Sequence, residues 1–257
     1  GVEKQGGMKE RMFNATRRLG AKRFNEPENL TIIERIADTL LDKLVRNKVR
    51  GRFGGRLKAL VSGGAPLNPD IGLFFTSLGL RLLQGYRQTE SAPVISVNKP
   101  SNVKMHTVGT LMHDTEVMIA EDGEILCRGE LVMKGYWRNE EATKAAISDD
   151  GWLHTGDIGK FDDDGHLMIT DRKKDIIVNS GGDNIAPQRI EGILCLQPEI
   201  AQAMVYGDKR SHLVALVVPD DVWLREAGYE RNSLEATQAL KDAIKRVNEQ
   251  MSNIEKV

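Results

Sequence analysis

Long apolar runs are missing from these 257 residues. No stretch approaches the roughly 20 residues that cross a bilayer, and the polar, basic start lacks the apolar core of a signal peptide. The chain therefore reads as cytoplasmic, with at most a weak association with a membrane surface. Cysteine is scarce too: Cys127 and Cys195 are the only two, and neither has a CxxC or Cys/His spacing. A disulfide framework and a zinc site are both unsupported. Charge of one sign is absent, since 36 basic residues meet 37 acidic ones for a net −1. No global field draws the chain to nucleic acid, so an anionic ligand must be held locally. The five histidines share no spacing with one another or with a serine or acid, which leaves hydrolase chemistry without support. There is no methionine at position 1, and Gly7-Met8-Lys9-Glu10-Arg11-Met12-Phe13 already has helical character. The sequence is expected to be a piece of a longer protein, and nothing in it sets an oligomeric state.

With 40% hydrophobic and 28% charged residues and eight prolines, what is present describes an ordinary folded chain of one or two units. Ile32, Ile33, Ile36, Leu40, Leu44 and Val49 recur at helical spacing, and Thr31 with Glu34 forms a capping-box pattern. One long amphipathic helix is expected after Pro27. Residues 57–61 form a buried-strand pattern running into a glycine loop, and a helix over 69–78 follows. A second buried strand, 80–83, delivers the next polar loop. In open α/β sheets ligands sit beyond the carboxyl ends of strands, so these two loops are the first candidates for a site. From 108 the texture changes to short strands and tight turns, with hairpins at Asp122-Gly123 and Asp164-Gly165 and a helix capped by Asn139. After the charged run 171–175 it changes again, to strand, glycine loop, helix, two strands and a final helix over 233–249. The expected fold is mixed α/β and α+β. An α/β layer (1–107) and a β-rich subdomain (108–170) form one large domain. A small, mobile α+β domain (171–257) follows.

Five segments carry chemistry. Small residues in Ser62-Gly63-Gly64-Ala65-Pro66 let backbone approach a flat ligand, although alone the loop is equally a tight strand-to-helix connection. In Gly85-Tyr86-Arg87-Gln88-Thr89-Glu90 an aromatic face, a hydroxyl and a carboxylate can stack, donate to phosphate and hold Mg²⁺, or simply pack a turn. Asp157, in Gly151-Trp152-Leu153-His154-Thr155-Gly156-Asp157, has enough acceptor sites for a vicinal diol. Asp171-Arg172-Lys173-Lys174-Asp175 lies where composition changes, and Gly181-Gly182 can line a narrow channel. Gly129-Glu130-Leu131-Val132-Met133-Lys134-Gly135-Tyr136-Trp137 reads as structural.

In this order the segments resemble the AMP-forming adenylating superfamily, which includes acyl-CoA synthetases, luciferases and peptide-synthetase adenylation domains. Texture near 56–61 and 74–84 is most similar to bacterial long-chain fatty-acid CoA ligases. The resemblance spans about 57–191 and implies that a fatty acid, ATP and CoA are joined through an acyl-adenylate, with Mg²⁺, releasing AMP and pyrophosphate. It also implies residue roles: Gly63, Gly64, Ala65 and Pro66 along the adenine, Tyr86 stacked on it, and Thr89 on phosphate. Glu90 would be the metal ligand, Asp157 and Arg172 would hold the ribose, Lys174 would be the catalytic hinge, and Gly181 and Gly182 would line the CoA channel. A ligase loading a carrier protein, or a non-catalytic AMP-binding module, remains the alternative. Arg87 departs from the pattern, which usually has glycine there. It either crowds the acid site, supplies a charge to acid or α-phosphate, or points to solvent. Nothing before Leu57 resembles the family's phosphate loop and nothing near Val257 its terminal lysine, so the chain alone is expected to be inactive.

Overall fold

Helices backed against a short parallel strand pair open the first part of the chain. The computed structural model describes residues 7–65 and 67–257. The chain divides into two units: the first runs to Thr155 and includes Lys160–Ile169, and the second consists of Gly156–Gly159 with Thr170–Val257. That border precedes the charged run by one residue and also assigns four residues of the preceding strand to the second unit.

In the first unit α1 (Met8–Asn25) is followed by α2 (Ile32–Leu41). Thr31 starts α2 with a complete capping box: its hydroxyl accepts from the Glu34 amide and the Glu34 carboxylate accepts from the Thr31 amide. The expected single long helix is interrupted. Asp42–Arg46 is a wide π turn, and α3 (Asn47–Arg52) continues from it. The apolar stripe lies outward, with Ile32 and Ile33 78% and 79% exposed and Ile36, Leu40 and Leu44 also exposed. The inward face instead brings Ala37, Leu41 and Val45 against Leu19, Leu30, Met12 and Ala15. That inner side also carries a charged pair.

That pair is Asp38 and Arg46. Arg46 is 0% exposed, and its Nη2 lies 2.6 Å from Asp38 Oδ1. Its remaining donors reach backbone: Nε donates to Ser77 O (2.7 Å), Nη1 to Asp38 O and Nη2 to Thr16 O. A buried guanidinium is tolerable only when its donors are met this fully. Arg46 thereby joins α1, α2 and the C-terminal end of α4 (Pro69–Ser77).

Asn68 caps α4 by accepting from the Asp70 amide, and Pro69 stands in the first turn where its missing N–H costs nothing. The helix connects β1 (Leu60–Ser62) to β2 (Leu82–Arg87), which pair in parallel with Leu60 opposite Leu82. β3 (Val94–Val97) and β4 (Thr110–Leu111) complete an antiparallel extension in the order β1-β2-β3-β4. β4 thus places the start of the stretch expected to be a separate β-rich layer in the first sheet. β2 also runs farther than expected, so Gly85, Tyr86 and Arg87 are strand rather than loop. A second sheet has the order β5 (Thr115–Ile119), β6 (Glu124–Gly129), β7 (Leu153–Phe161), β8 (Leu167–Arg172), with α5 (Glu140–Ala146) between β6 and β7. Ile95, Val108, Ile125, Cys127, Leu153 and Leu167 form the core of this unit, and burial pushes the Cys127 thiol up to about 11.

In the second unit β9 (Ile177–Val178) pairs with β10 (Asn184–Ile185), and α6 (Pro187–Leu194) follows. β11 (Ile200–Tyr206) and β12 (Val214–Pro219) form an antiparallel ribbon, followed by α7 (Asp221–Ala227) and α8 (Leu234–Asn248). Ile177, Ile190, Leu194, Ile200, Val205 and Val247 are among the side chains of its core. Among the described residues no helix is long and apolar enough to cross a membrane.

Replacing Arg46 by Met leaves the buried Asp38 carboxylate with Arg23 as its remaining partner. Urea unfolding of Arg46→Met is expected to show a loss of about 3 kcal/mol, and Arg46→Met/Asp38→Leu should regain a large part of it. Equal losses for the single and double variants would contradict this account.

Candidate functional site

Two loops lie at the carboxyl ends of the parallel strands. After β1, Gly63 brings backbone close to β2: a Cβ placed there would sit 3.1 Å from Gly85 O. Gly64 has φ +116°, a conformation that L side chains rarely adopt. Ala65 follows in the same turn, and Pro66 lies outside the described residues. Arg87 ends β2 beside this loop, and its Nε donates to Gly63 O at 3.2 Å. Of the three possibilities open for Arg87, the structure shows an exposed side chain laid along the glycine loop.

Tyr86 has the opposite exposure. It is 5% exposed and packs with Ile95, Val108 and Ile125, so the ring expected to offer a stacking face belongs to the core. A strand alternates its side chains, and extending β2 through Arg87 necessarily turns Tyr86 inward and Arg87 outward.

Thr89 and Glu90 form a short 3₁₀ turn, Thr89–Ser91, closed on its N-terminal side by Gln88 and Ser91. The Gln88 side-chain amide donates to Thr155 O at 2.8 Å, tying this turn to the Trp-Leu-His-Thr-Gly-Asp segment. The 129–137 segment, read as structural from the sequence, holds Glu90 at two points. The Met133 amide donates to Glu90 O (2.8 Å), and the Tyr136 hydroxyl donates to Glu90 Oε1 (2.9 Å). That hydrogen bond is the main reason the Tyr136 phenol is shifted upward. Tyr136 is the residue sequence reading missed here, because no local spacing relates positions 90 and 136. Among the described residues no group of three or more His, Cys, Asp or Glu side chains could hold a metal ion, so Glu90 would supply one ligand by itself.

In the second unit, Asp157 sits on β7 with 5% exposure, and Arg172 ends β8 with its Nε 3.3 Å from Asp157 Oδ1. The Lys173 amide donates to Gly156 O, which fixes the two ends against each other, and Gly156 takes φ +71°. Next to Arg172 stands Asp171, 8% exposed, whose Oδ1 accepts from the Arg172 amide while Oδ2 has no hydrogen-bond partner among the described residues. Burial pushes its carboxyl up, with Asp175 and Glu191 adding to the shift. Lys174 and Asp175 line a cleft of about 470 Å³ with Gln188, Glu191 and Tyr206. Gly181 and Gly182 form the exposed β9–β10 turn, organised by Asn179, whose side-chain oxygen accepts from both the Gly181 and Asp183 amides.

The first unit thus carries a glycine loop beside a parallel strand pair in an α/β layer, and the second a buried aspartate paired with an arginine. The family described as AMP-binding enzyme matches residues 16–137, and its C-terminal domain matches residues 174–257. The chain belongs to the AMP-binding enzyme family. It is 41% identical over 211 residues to the long-chain-fatty-acid CoA ligase FadD15 of Mycobacterium bovis, a match covering 82% of this chain and 35% of that protein. The chain thus spans about a third of the length of the curated relatives it matches. Its fold resembles the adenylation domain of a carboxylate reductase from Mycobacterium chelonae (TM-score 0.68, 22% identity, 95% of this chain and 39% of that one). It also resembles o-succinylbenzoate CoA synthetase of Bacillus subtilis, solved with an acyl-adenylate intermediate (TM-score 0.64, 26% identity, 82% and 44%).

Asp171 yields a pH prediction. A carboxyl whose folded pKa is raised favours the folded state only while protonated, so its cost is absent below the unfolded value near 3.8 and grows as pH rises through the folded pKa. Asp171→Asn should therefore raise stability at pH 7.5 by about 1 kcal/mol, and the gain should vanish near pH 3.5. Thermal melts at the two pH values test this; a gain of equal size at both would contradict it.

Proposed function

We propose that this chain is the nucleotide-side part of an ATP-dependent, AMP-forming ligase that joins a carboxylic acid of the long-chain fatty class to CoA. In the first step a carboxylate oxygen attacks the α-phosphorus of ATP, forming the acyl-adenylate and releasing pyrophosphate. In the second the CoA thiol attacks the acyl carbon, and AMP leaves with the bonding electrons. The observation that carries this reading is the Asp157–Arg172 pair. A buried carboxylate held in place by a guanidinium has the acceptor capacity for two ribose hydroxyls. The 41% identity to a long-chain-fatty-acid CoA ligase supports the acid class and the acceptor.

In this reading the Gly63-Gly64-Ala65-Pro66 loop lies along the adenine, with Tyr86 behind it as a wall rather than a stacking face. The Thr89 hydroxyl donates to an α-phosphate oxygen. Mg²⁺ prefers oxygen ligands shared with nucleotide phosphates, and Glu90, whose carboxylate accepts from Tyr136, would offer one. Its bound charge would offset the negative charge developing on the phosphates. Lys174 serves as the hinge for a domain rotation between the two steps, and the Gly181-Gly182 turn then lines the path of the CoA arm. The work is done in the cytoplasm.

The test is AMP binding to the 257-residue chain by calorimetry. Asp157→Ala should weaken AMP at least about tenfold, the effect of losing hydrogen bonds to a charged acceptor. Circular dichroism should show an unchanged fold. Retained affinity in a folded Asp157→Ala protein would exclude the ribose role.

A further inference from the structure

We infer that Arg87 is an oxyanion-binding residue, giving the glycine-loop site a preference for ligands that present a phosphoryl or carboxylate group there. Three observations support it. First, Arg87 closes β2 at its carboxyl end, beside the loop that leaves the carboxyl end of the parallel β1, where open α/β sheets bind ligands. Second, the guanidinium is oriented rather than free: Nε donates to Gly63 O, and Nη2, Nε and Cζ lie 3.4, 3.7 and 3.8 Å from where a Cβ on Gly64 would be. The loop's lack of side chains lets the planar group lie along it. Third, Nε is its only donor in a described hydrogen bond, so Nη1 and Nη2 have no hydrogen-bond or ion-pair partner among the described residues.

The contrast with other arginines is direct. Arg46, Arg50, Arg128, Arg172 and Arg246 each face a carboxylate within 4 Å, whereas Arg87 faces none among the described residues. Anchoring through Nε leaves the two terminal nitrogens as a fork, the geometry that takes a carboxylate or a phosphate by two parallel hydrogen bonds. Lysine could supply the charge but not the fork. Glycine, the usual residue of the resembling segment, could supply neither. A ligand's oxyanion would therefore replace water at a cation already in position, and little side-chain entropy would be lost on binding.

The identity of the physiological ligand rests on the adenylate reading above, so the experiment separates the two. The Nε–H resonance of Arg87 in the ¹⁵N-labelled 257-residue chain is assigned by its loss in Arg87→Met. Inorganic phosphate and, separately, hexanoate are then titrated at constant ionic strength. A saturating shift of that resonance, together with the Gly63 and Gly64 amides, is the expected result. The probe that produces it distinguishes a phosphoryl source from a carboxylate source. No saturating shift with either probe overturns the inference, whatever AMP does.

In a parallel arm AMP is compared with adenosine. If phosphoryl is the source, AMP should bind about tenfold tighter than adenosine to the native chain, and the difference should collapse in Arg87→Met and persist in part in Arg87→Lys. If AMP keeps its advantage in a folded Arg87→Met chain, nucleotide binding survives and the phosphoryl role of Arg87 falls. If the Arg87 resonance responds to phosphate but AMP does not bind, the oxyanion site stands and the adenylate reading falls.

Discussion

The arrangement of the first unit depends on one buried cation. Arg46 has no solvent contact and directs its guanidinium at Asp38 and at carbonyls of α1, α2 and α4. Its position also explains the π turn at Asp42–Arg46. A regular helix would carry residue 46 to another angle, while the widened turn brings it to the seam where three helices meet. Gly79, with φ +83°, passes directly over the Arg46 side chain, and a Cβ there would sit 3.0 Å from it. The chain then turns into β2. A charge that would be costly if left alone therefore fixes where α4 ends, and α4 together with its Asn68 cap fixes how the glycine loop leaves β1.

From that constraint the local site follows by strand geometry. The parallel pairing of β1 and β2 puts Ser62 opposite Gln84, so the Gly63-Gly64 turn passes beside the last residues of β2. Alternation then sends Tyr86 into the core and Arg87 to the surface. The following turn cannot drift, because Gln88 is tied to Thr155 and Glu90 to Met133 and Tyr136. Polar groups 40 to 70 residues away in sequence thus hold a three-residue turn that has little packing of its own.

The sequence made much of this legible for reasons that can be named. The capping box at Thr31, the Asn139 cap and the hairpin at Asp122-Gly123 are local, and local chemistry forms them in any context. The glycine loops were legible because backbone approach and positive φ demand a specific residue. Failures came where the decisive partner was distant. A single long helix is expected over the stripe of Ile32, Ile33, Ile36, Leu40 and Leu44, yet a π turn at Asp42–Arg46 interrupts it and brings Arg46 to Asp38. No periodicity rule rewards a salt bridge in a core. The second strand is expected to end at 83, but pairing of Gly85 with Val97 carries β2 through Gly85 and Tyr86. The role of Tyr136 was invisible because its hydrogen bond to Glu90 spans 46 positions.

The Asp157–Arg172 pair poses a further question of energetics, since a site carboxylate already engaged by a guanidinium could be thought spent. A carboxylate has two oxygens and about four lone-pair sites, and the Arg172 Nε contact at 3.3 Å is one of the interactions it can accept. Arg172 is largely exposed, so much of the attraction within the pair is screened by water, and shifting the guanidinium costs little. On the proposed reading, the arginine orients the carboxylate while the site is free of ligand, and it can follow the carboxylate to the ligand once ribose hydroxyls arrive. The two residues then act as a single preorganised acceptor, which is why their placement on adjacent strands, held by the Lys173 to Gly156 hydrogen bond, matters more than the strength of the ion pair.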